Sequence, residues 1–250
     1  MADPLSGVAV TGAPSPGRFD ALDIPAGAVV LVLAPHPDDF DAVGVTLRHL
    51  HERGHAVHLA VATMGANGVD DADCAPPTRA AKAALREAEQ RASCRFFGLR
   101  EERLRFLRLP VDAGGHAAVD DANVVRVAAL LTEVAPGLVF LPHGRDPNVT
   151  HQRVCAMLRA AAAGQLTIFL NRDPKTVSMR FDVVTPYGEE SAEWKGALLR
   201  HHRSQQERNL RARGQGFDER ILTMDRDTAA ACGLAEPYAE GFEVELVGSA

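Results

Sequence analysis

The chain has 250 residues, 46% apolar and 24% charged, with a formal net charge of −6, the balance of a globular protein with a buried core. The acidic surplus argues against nucleic acid or an anionic membrane as the main partner, and no apolar run approaches the roughly 18 residues needed to cross a bilayer. Four widely spaced cysteines (Cys74, Cys94, Cys155, Cys232) form no CxxC pair and read as reduced thiols.

Residues 1–27 are rich in Pro, Gly, Ala and Ser and are expected to be an arm leading into the first strand; residues 28–250 are expected to form one domain. The arm carries no basic segment followed by an apolar one, so a cytoplasmic protein is expected. "AVVLVLA" (28–34) is the unbroken β-branched and leucine run of a strand buried on both faces of a parallel sheet. "DAVGVTLRHLHERG" then predicts a helix closed by Gly54, and "HAVHLAVAT" (55–63) a second strand. A long helix runs through "PPTRAAKAALREAEQRASCRFFGL", followed by a short strand at 104–110, a helix in "DANVVRVAALLTEVAPG" and a buried strand at 137–142. "HQRVCAMLRAAAAG" predicts a further helix, "QLTIFLN" and "VSMRFDVV" two strands, "GEESAEWKGALLRHHRSQQERNLRARG" a helical stretch and "GFEVELVG" a last strand. Alternating strands and helices without an internal repeat predict an α/β, Rossmann-like three-layer α/β/α architecture with a mostly parallel central sheet.

In such sheets ligands bind beyond the carboxyl ends of the strands. Two polar clusters occupy those positions: His36-Pro37-Asp38-Asp39 after the first strand, and the stretch His143 to His151 after the strand at 137–142. Either alone would pass for a cap or a surface hydrogen bond. Together, a histidine and a carboxylate from one turn and a histidine from the other make a three-ligand set with an open position, the pattern of a catalytic zinc. Adjacent aspartates cannot easily point the same way, so one can bind metal while its neighbour serves as general base toward a water. Asp146 is placed to orient His151 or to cap the following helix. The glycines of "TMGANG" (63–68) suit a close backbone approach to substrate or a plain flexible turn.

These motifs resemble the PIG-L/LmbE-like zinc-dependent deacetylases, whose hallmark strand ends in A-H-P-D-D-E; here it reads "APHPDDFD". The resemblance implies zinc on His36, Asp39 and His151, with Asp38 as the base. "REAEQRASCRFFG" is similar to the family's R-x-x-E helix and puts Arg86 in its substrate-binding position, in competition with a plain pairing of Arg86 to Glu89. "LRLPVD" supplies Asp112 as a site aspartate. "KGALLRHHRSQ" matches the late K-x-x-A-L-x-x-H-x-S-Q helix through Lys195, His201, Ser204 and Gln205, and "EPYAEGFEV" the C-terminal E-x-F strand.

Two departures bear on mechanism. Phe40 stands where the family has Glu, with Asp41 beside it to take over part of the polar role toward substrate or Phe40 packing beneath the site. Asn148 stands where many members have the first histidine of H-P-D-H; an amide donates a hydrogen bond to an oxyanion but delivers no proton. His143, His201 or Asp38 itself are then the candidates for general acid. The implied activity is Zn2+-dependent removal of an N-acetyl or N-acyl group from an amino-sugar-type small metabolite, of the kind met in secondary metabolism. The competing readings are an amidase acting on a larger thiol or antibiotic conjugate, and a metal- or ligand-binding protein without turnover. An acylated amine is the expected partner, and assembly into a homo-oligomer is compatible with the sequence.

Overall fold

The computed structural model describes residues 16–248. Its eight strands are β1 (Gly17–Arg18), β2 (Val29–Ala34), β3 (Ala56–Val61), β4 (Leu104–Phe106), β5 (Leu138–Pro142), β6 (Leu166–Asn171), β7 (Val183–Tyr187) and β8 (Tyr238–Val247). Its helices of more than one turn are α1 (Gly44–Glu52), α2 (Arg79–Phe97), α3 (Asp121–Val134), α4 (Val149–Ala161), α5 (Glu189–Leu199), α6 (Arg203–Arg213) and α7 (Phe217–Ala231). The strands form one sheet in the order β1-β7-β8-β6-β5-β2-β3-β4. All pairings are parallel except those of β8 with β6 and β7.

The unbroken apolar strands are buried on both faces because helices cover both. Odd and even residues of each strand enter different cores, as a period of two requires. Val30, Val32, Phe140 and Phe169 pack with Leu47 of α1, Phe97 of α2 and Leu198 of α5. Leu31, Leu33, Val139, Leu141 and Ile168 pack with Val127 of α3 and Val154 and Leu158 of α4. Within the stretch read as an arm, Gly17 and Arg18 pair with β7 and Phe19 is buried against Phe140, Phe169 and Phe242; residues 1–15 lie outside the described residues.

Three details differ from the sequence expectations. The helical stretch at 188–214 is two helices broken at 200–202, and α7 follows it as a further helix. The strand expected at 177–184 begins at Val183 and runs to Tyr187. The last strand starts at Tyr238.

What positions the site is the strand order. From β2 the chain moves outward through β3 to β4, then returns to place β5 on the other side of β2. The strand order therefore reverses between β2 and β5, where α/β sheets open a crevice beyond their carboxyl ends. Both polar clusters leave from those two strands.

Phe40 plays no part in the crevice. It is fully buried and meets the edge of Phe97 at a centroid distance of 5.0 Å, 73° between planes. Here the ring is a core residue beneath the site. Phe40→Ala is expected to cost about 3–5 kcal/mol of stability, read as a lower urea midpoint at unchanged slope.

Candidate metal centre and active-site cavity

The turn after β2 is held in a conformation that separates the two aspartates. Asp38 has φ 107°, outside the regions open to an ordinary side chain, a strain of about 1–3 kcal/mol that the surroundings must offset. Its backbone N–H donates to Gln90 Oε1 of α2 at 2.9 Å, and its carbonyl accepts from the N–H groups of Asp41 and Ala42. Asp39 turns back, its Oδ2 accepting from the His36 N–H at 2.7 Å. Asp38 goes the other way, Oδ1 3.2 Å from Nη2 of Arg86, which also donates to the Pro37 carbonyl. Arg86 thus pairs with Asp38, while Glu89 accepts from Ser204 N–H and Oγ at the start of α6.

The second cluster comes from the β5–α4 turn. Asn148 caps α4, its Oδ1 accepting from the Thr150 N–H at 3.0 Å. Asp146 is the pivot of that turn: Oδ1 takes the Asn148 N–H and Oδ2 lies 2.7 Å from His151 Nδ1. That contact fixes the ring and turns Nε2 toward the first cluster. His36 Nδ1 and His151 Nε2 are 3.2 Å apart, His151 Nε2 and Asp39 Oδ1 3.5 Å, and His36 Nδ1 and Asp39 Oδ2 3.6 Å.

These separations test whether a metal ion fits. A tetrahedral ion with ligands at about 2.0–2.1 Å holds its donors about 3.3–3.4 Å apart; the His36–His151 and His151–Asp39 Oδ1 separations, 3.2 and 3.5 Å, bracket that edge, and the second Asp39 oxygen stands 3.6 Å from His36. A second grouping, Asp146, His151 and Asp173, fails the same test, because 2.7 Å between Asp146 and His151 is a hydrogen bond. Electrostatics agrees with the first set. Burial alone would lower the His151 pKa, but Asp39 and Asp146 push it up to about 9. Burial alone would raise Asp39, yet His151 and the bonds from His36 hold it down. A donor set that holds a proton so firmly suits a cation, and the carboxylate behind His151 is the usual support of a metal-bound imidazole. Asp146→Asn is expected to lower metal affinity about 10–100-fold, measured by competition with a chromophoric chelator.

The crevice is a cavity of about 630 Å³. His36, Asp38, Asp39, Asn148, His151 and Arg86 line it, with His116, Asp173, Lys175 and residues of α6 and α7 completing the wall. Burial raises the Asp38 carboxyl, with Arg86 opposing. Burial and nearby Asp146 bring Asp173 up to about 6. Gly65, with φ 59°, passes close to His36; a Cβ there would meet the His36 ring at 3.4 Å and Arg86 at 3.6 Å.

Four expected site residues are not on this wall. His143 Nε2 lies 3.2 Å from Glu243, and its Nδ1 accepts from the Arg145 N–H. His201 packs on Phe96 in a separate groove between α2 and α6. Asp112 binds Arg153 at 2.6 Å and the His116 N–H. Asp41 is fully buried, shared by Ser93, Gln90 and His202, whose Nε2 lies 2.7 Å away; it touches the neighbours of Asp38, where no substrate reaches. Conversely, His116, Asp173, Arg208 and Arg220 line the cavity and were not singled out. Their own segments carry no motif; only the topology brings them to the mouth.

A family model described as GlcNAc-PI de-N-acetylase, PIG-L, matches residues 31–162, the span holding both clusters. The chain belongs to the PIG-L family. Among solved structures, the PIG-L chain described here is similar to N,N'-diacetylchitobiose deacetylase from Pyrococcus horikoshii, at 20% identity over 87% of this chain and 83% of that one, TM-score 0.71. A deacetylase of the teicoplanin biosynthesis pathway shares 15% identity over 89% and 100%, TM-score 0.66. The 4-carboxy-2-hydroxymuconate hydratase of Pseudomonas putida shares 20% over 87% and 95%, TM-score 0.58. At such identities the likeness is one of fold, and a hydratase among them leaves the reaction to the residues of the site. No curated protein matches the sequence. The described residues contain no helix long and apolar enough to cross a membrane.

Proposed function

We propose that the protein is a zinc-dependent N-deacetylase that hydrolyses the N-acetyl or N-acyl amide of an amino-sugar-type metabolite. The observation that carries this reading is the triad His36, Asp39 and His151 at tetrahedral edge lengths, with a further carboxylate, Asp38, held beside it by Gln90 and Arg86. The chemistry zinc supplies there is Lewis acidity toward an amide carbonyl and acidification of a water to a pKa of about 7. A protein that only stored metal would have no use for the strained, buried Asp38.

Asp38 accepts the proton of the water that attacks the amide carbon. The Asn148 side-chain Oδ1 is committed to Thr150, which leaves its NH2 as the donor for the oxyanion. With His143 and His201 off the cavity wall, Asp38 is the general acid as well: it returns its proton to the amine nitrogen as the C–N bond breaks. One amide and one water become one acetate and one free amine.

The test is removal and return of the metal. Chelation should abolish acetate release from N-acetylglucosaminides and Zn2+ should restore it, while His151→Ala should neither hold zinc nor recover. Full turnover by metal-free protein would refute the reading.

A further inference from the structure

We propose that the cavity wall built by α6, α7 and the segment after β6 is an oxyanion subsite, so that the amino-sugar substrate carries a phosphate ester or a carboxylate away from its N-acyl group. This rests on the deacetylase reading above and adds the class of group the substrate must bear.

Beyond the triad and its two turns, the cavity wall is built by α6, α7 and the segment after β6, all outside residues 31–162 that match the family. It presents three cations: Lys175, Arg208 and Arg220. Among the described residues, no carboxylate oxygen lies within 4.0 Å of the charged nitrogens of Lys175 or Arg220, the reach of an ion pair. Arg208 has one acid at the limit of that reach, Asp70 at 3.9 Å, and Asp70 already takes Arg211 at 2.9 Å. By contrast the neighbouring surface arginines Arg200 and Arg211 are paired with acids. The same wall holds one acid, Asp173, whose Oδ1 accepts from the Lys175 backbone N–H at 2.9 Å and whose carboxyl is raised by burial and by nearby Asp146.

Arg220 is also held in place. Its Nη1 donates to Asn209 Oδ1 at 2.7 Å, the Asn209 amide donates to the Gln205 carbonyl at 2.8 Å, and the Gln205 amide donates to the Gly68 carbonyl at 2.9 Å. A chain of amides therefore aligns a half-buried guanidinium that has no ion-pair partner among the described residues. Orienting a cation in this way costs desolvation, and Arg213 adds repulsion that Asp173, beyond ion-pair reach, opposes only in part. A ligand oxyanion offsets both, and guanidinium is the side chain whose planar fork grips phosphate and carboxylate in pairs of hydrogen bonds. At the triad itself the charges are committed: Asp39 to His151 and Asp38 to Arg86.

The experiment compares N-acetylglucosamine 1-phosphate, carboxymethyl N-acetylglucosaminide and the neutral methyl N-acetylglucosaminide as substrates of the zinc-loaded protein. At least one anionic substrate is expected to exceed the methyl glycoside tenfold or more in kcat/KM, and which one does identifies the oxyanion. Arg220→Met and the surface variant Arg208→Met should bring the anionic-to-neutral ratio toward one, Arg220→Lys should keep part of it, and added NaCl should shrink it in wild type. Equal turnover of all three would overturn the subsite and leave the deacetylase reading intact. So would a preference that survives both methionine variants, since the metal would then be holding the anion. If none is turned over, the deacetylase reading fails and calorimetry on the amine products decides the subsite. Glucosamine 1-phosphate or carboxymethyl glucosaminide should bind at least tenfold more tightly than methyl glucosaminide, with Arg220→Met removing the difference. Equal binding would overturn the proposal.

Discussion

Asp38→Asn is expected to reduce kcat by about 10²–10⁴-fold, the usual share of a positioned general base, while the protein still holds one zinc per chain. The two readouts separate because Asp38 and Asp39 leave the turn in opposite directions. Asp39 faces His36 and His151; Asp38 faces Arg86. Asparagine keeps the volume and a contact to Arg86 but cannot take a proton from water. Burial already raises the Asp38 carboxyl, which strengthens it as a base at neutral pH. Metal analysis beside an acetate assay checks both halves. Loss of zinc in the variant would mean that Asp38 is a ligand, and unchanged kcat that the base lies elsewhere.

Lys195→Met is expected to destabilise the fold by about 3–5 kcal/mol, because it strands two buried carboxylates. Lys195 is fully buried on α5, its Nζ 2.6 Å from Asp225 of α7 and 2.7 Å from Glu240 of β8. Tyr187 donates to the same Asp225 oxygen. Glu240 also accepts the backbone N–H groups of Val45 at 3.0 Å and Thr46 at 2.8 Å. The cluster therefore ties the last strand to the first turn of α1, a few residues after the turn that carries His36 and Asp39. Urea unfolding measures the loss, and adding Asp225→Asn to Lys195→Met should recover part of it by removing one unpaired charge. A loss below about 1 kcal/mol would mean that water reaches the cluster.

The parts of this molecule that were legible in its sequence are those whose signal is local. β2 and β5 announce themselves as unbroken β-branched runs ending in polar clusters, and strand ends are where α/β sheets bind. That was enough to bring out the two clusters; the family resemblance then singled out His36, Asp39 and His151 within them. The helix break at 200–202 has no glycine or proline to mark it. It is imposed from a distance, by Asp41 on His202 and by Glu89 on Ser204. α7 did carry a readable signal, Phe217, Ile221, Met224 and Thr228 at helical spacing, with Glu219 bonding back to the Gly216 N–H. Its side chains on the cavity wall were invisible for another reason: nothing in "FDERIL" says that Arg220 will face the tip of β2. Phe40 shows the limit of motif transfer. At a position where the family carries an acid, its neighbour Phe97 makes the site a hydrophobic socket.

The most direct test of the central claim is a stoichiometric one: acetate and primary amine quantified together from a panel of N-acetyl amino sugars, neutral and anionic, with protein of known zinc content. The account predicts equimolar acetate and amine from at least one member, in proportion to the zinc-loaded fraction. Protein that holds one zinc per chain and releases neither product from any member would contradict it.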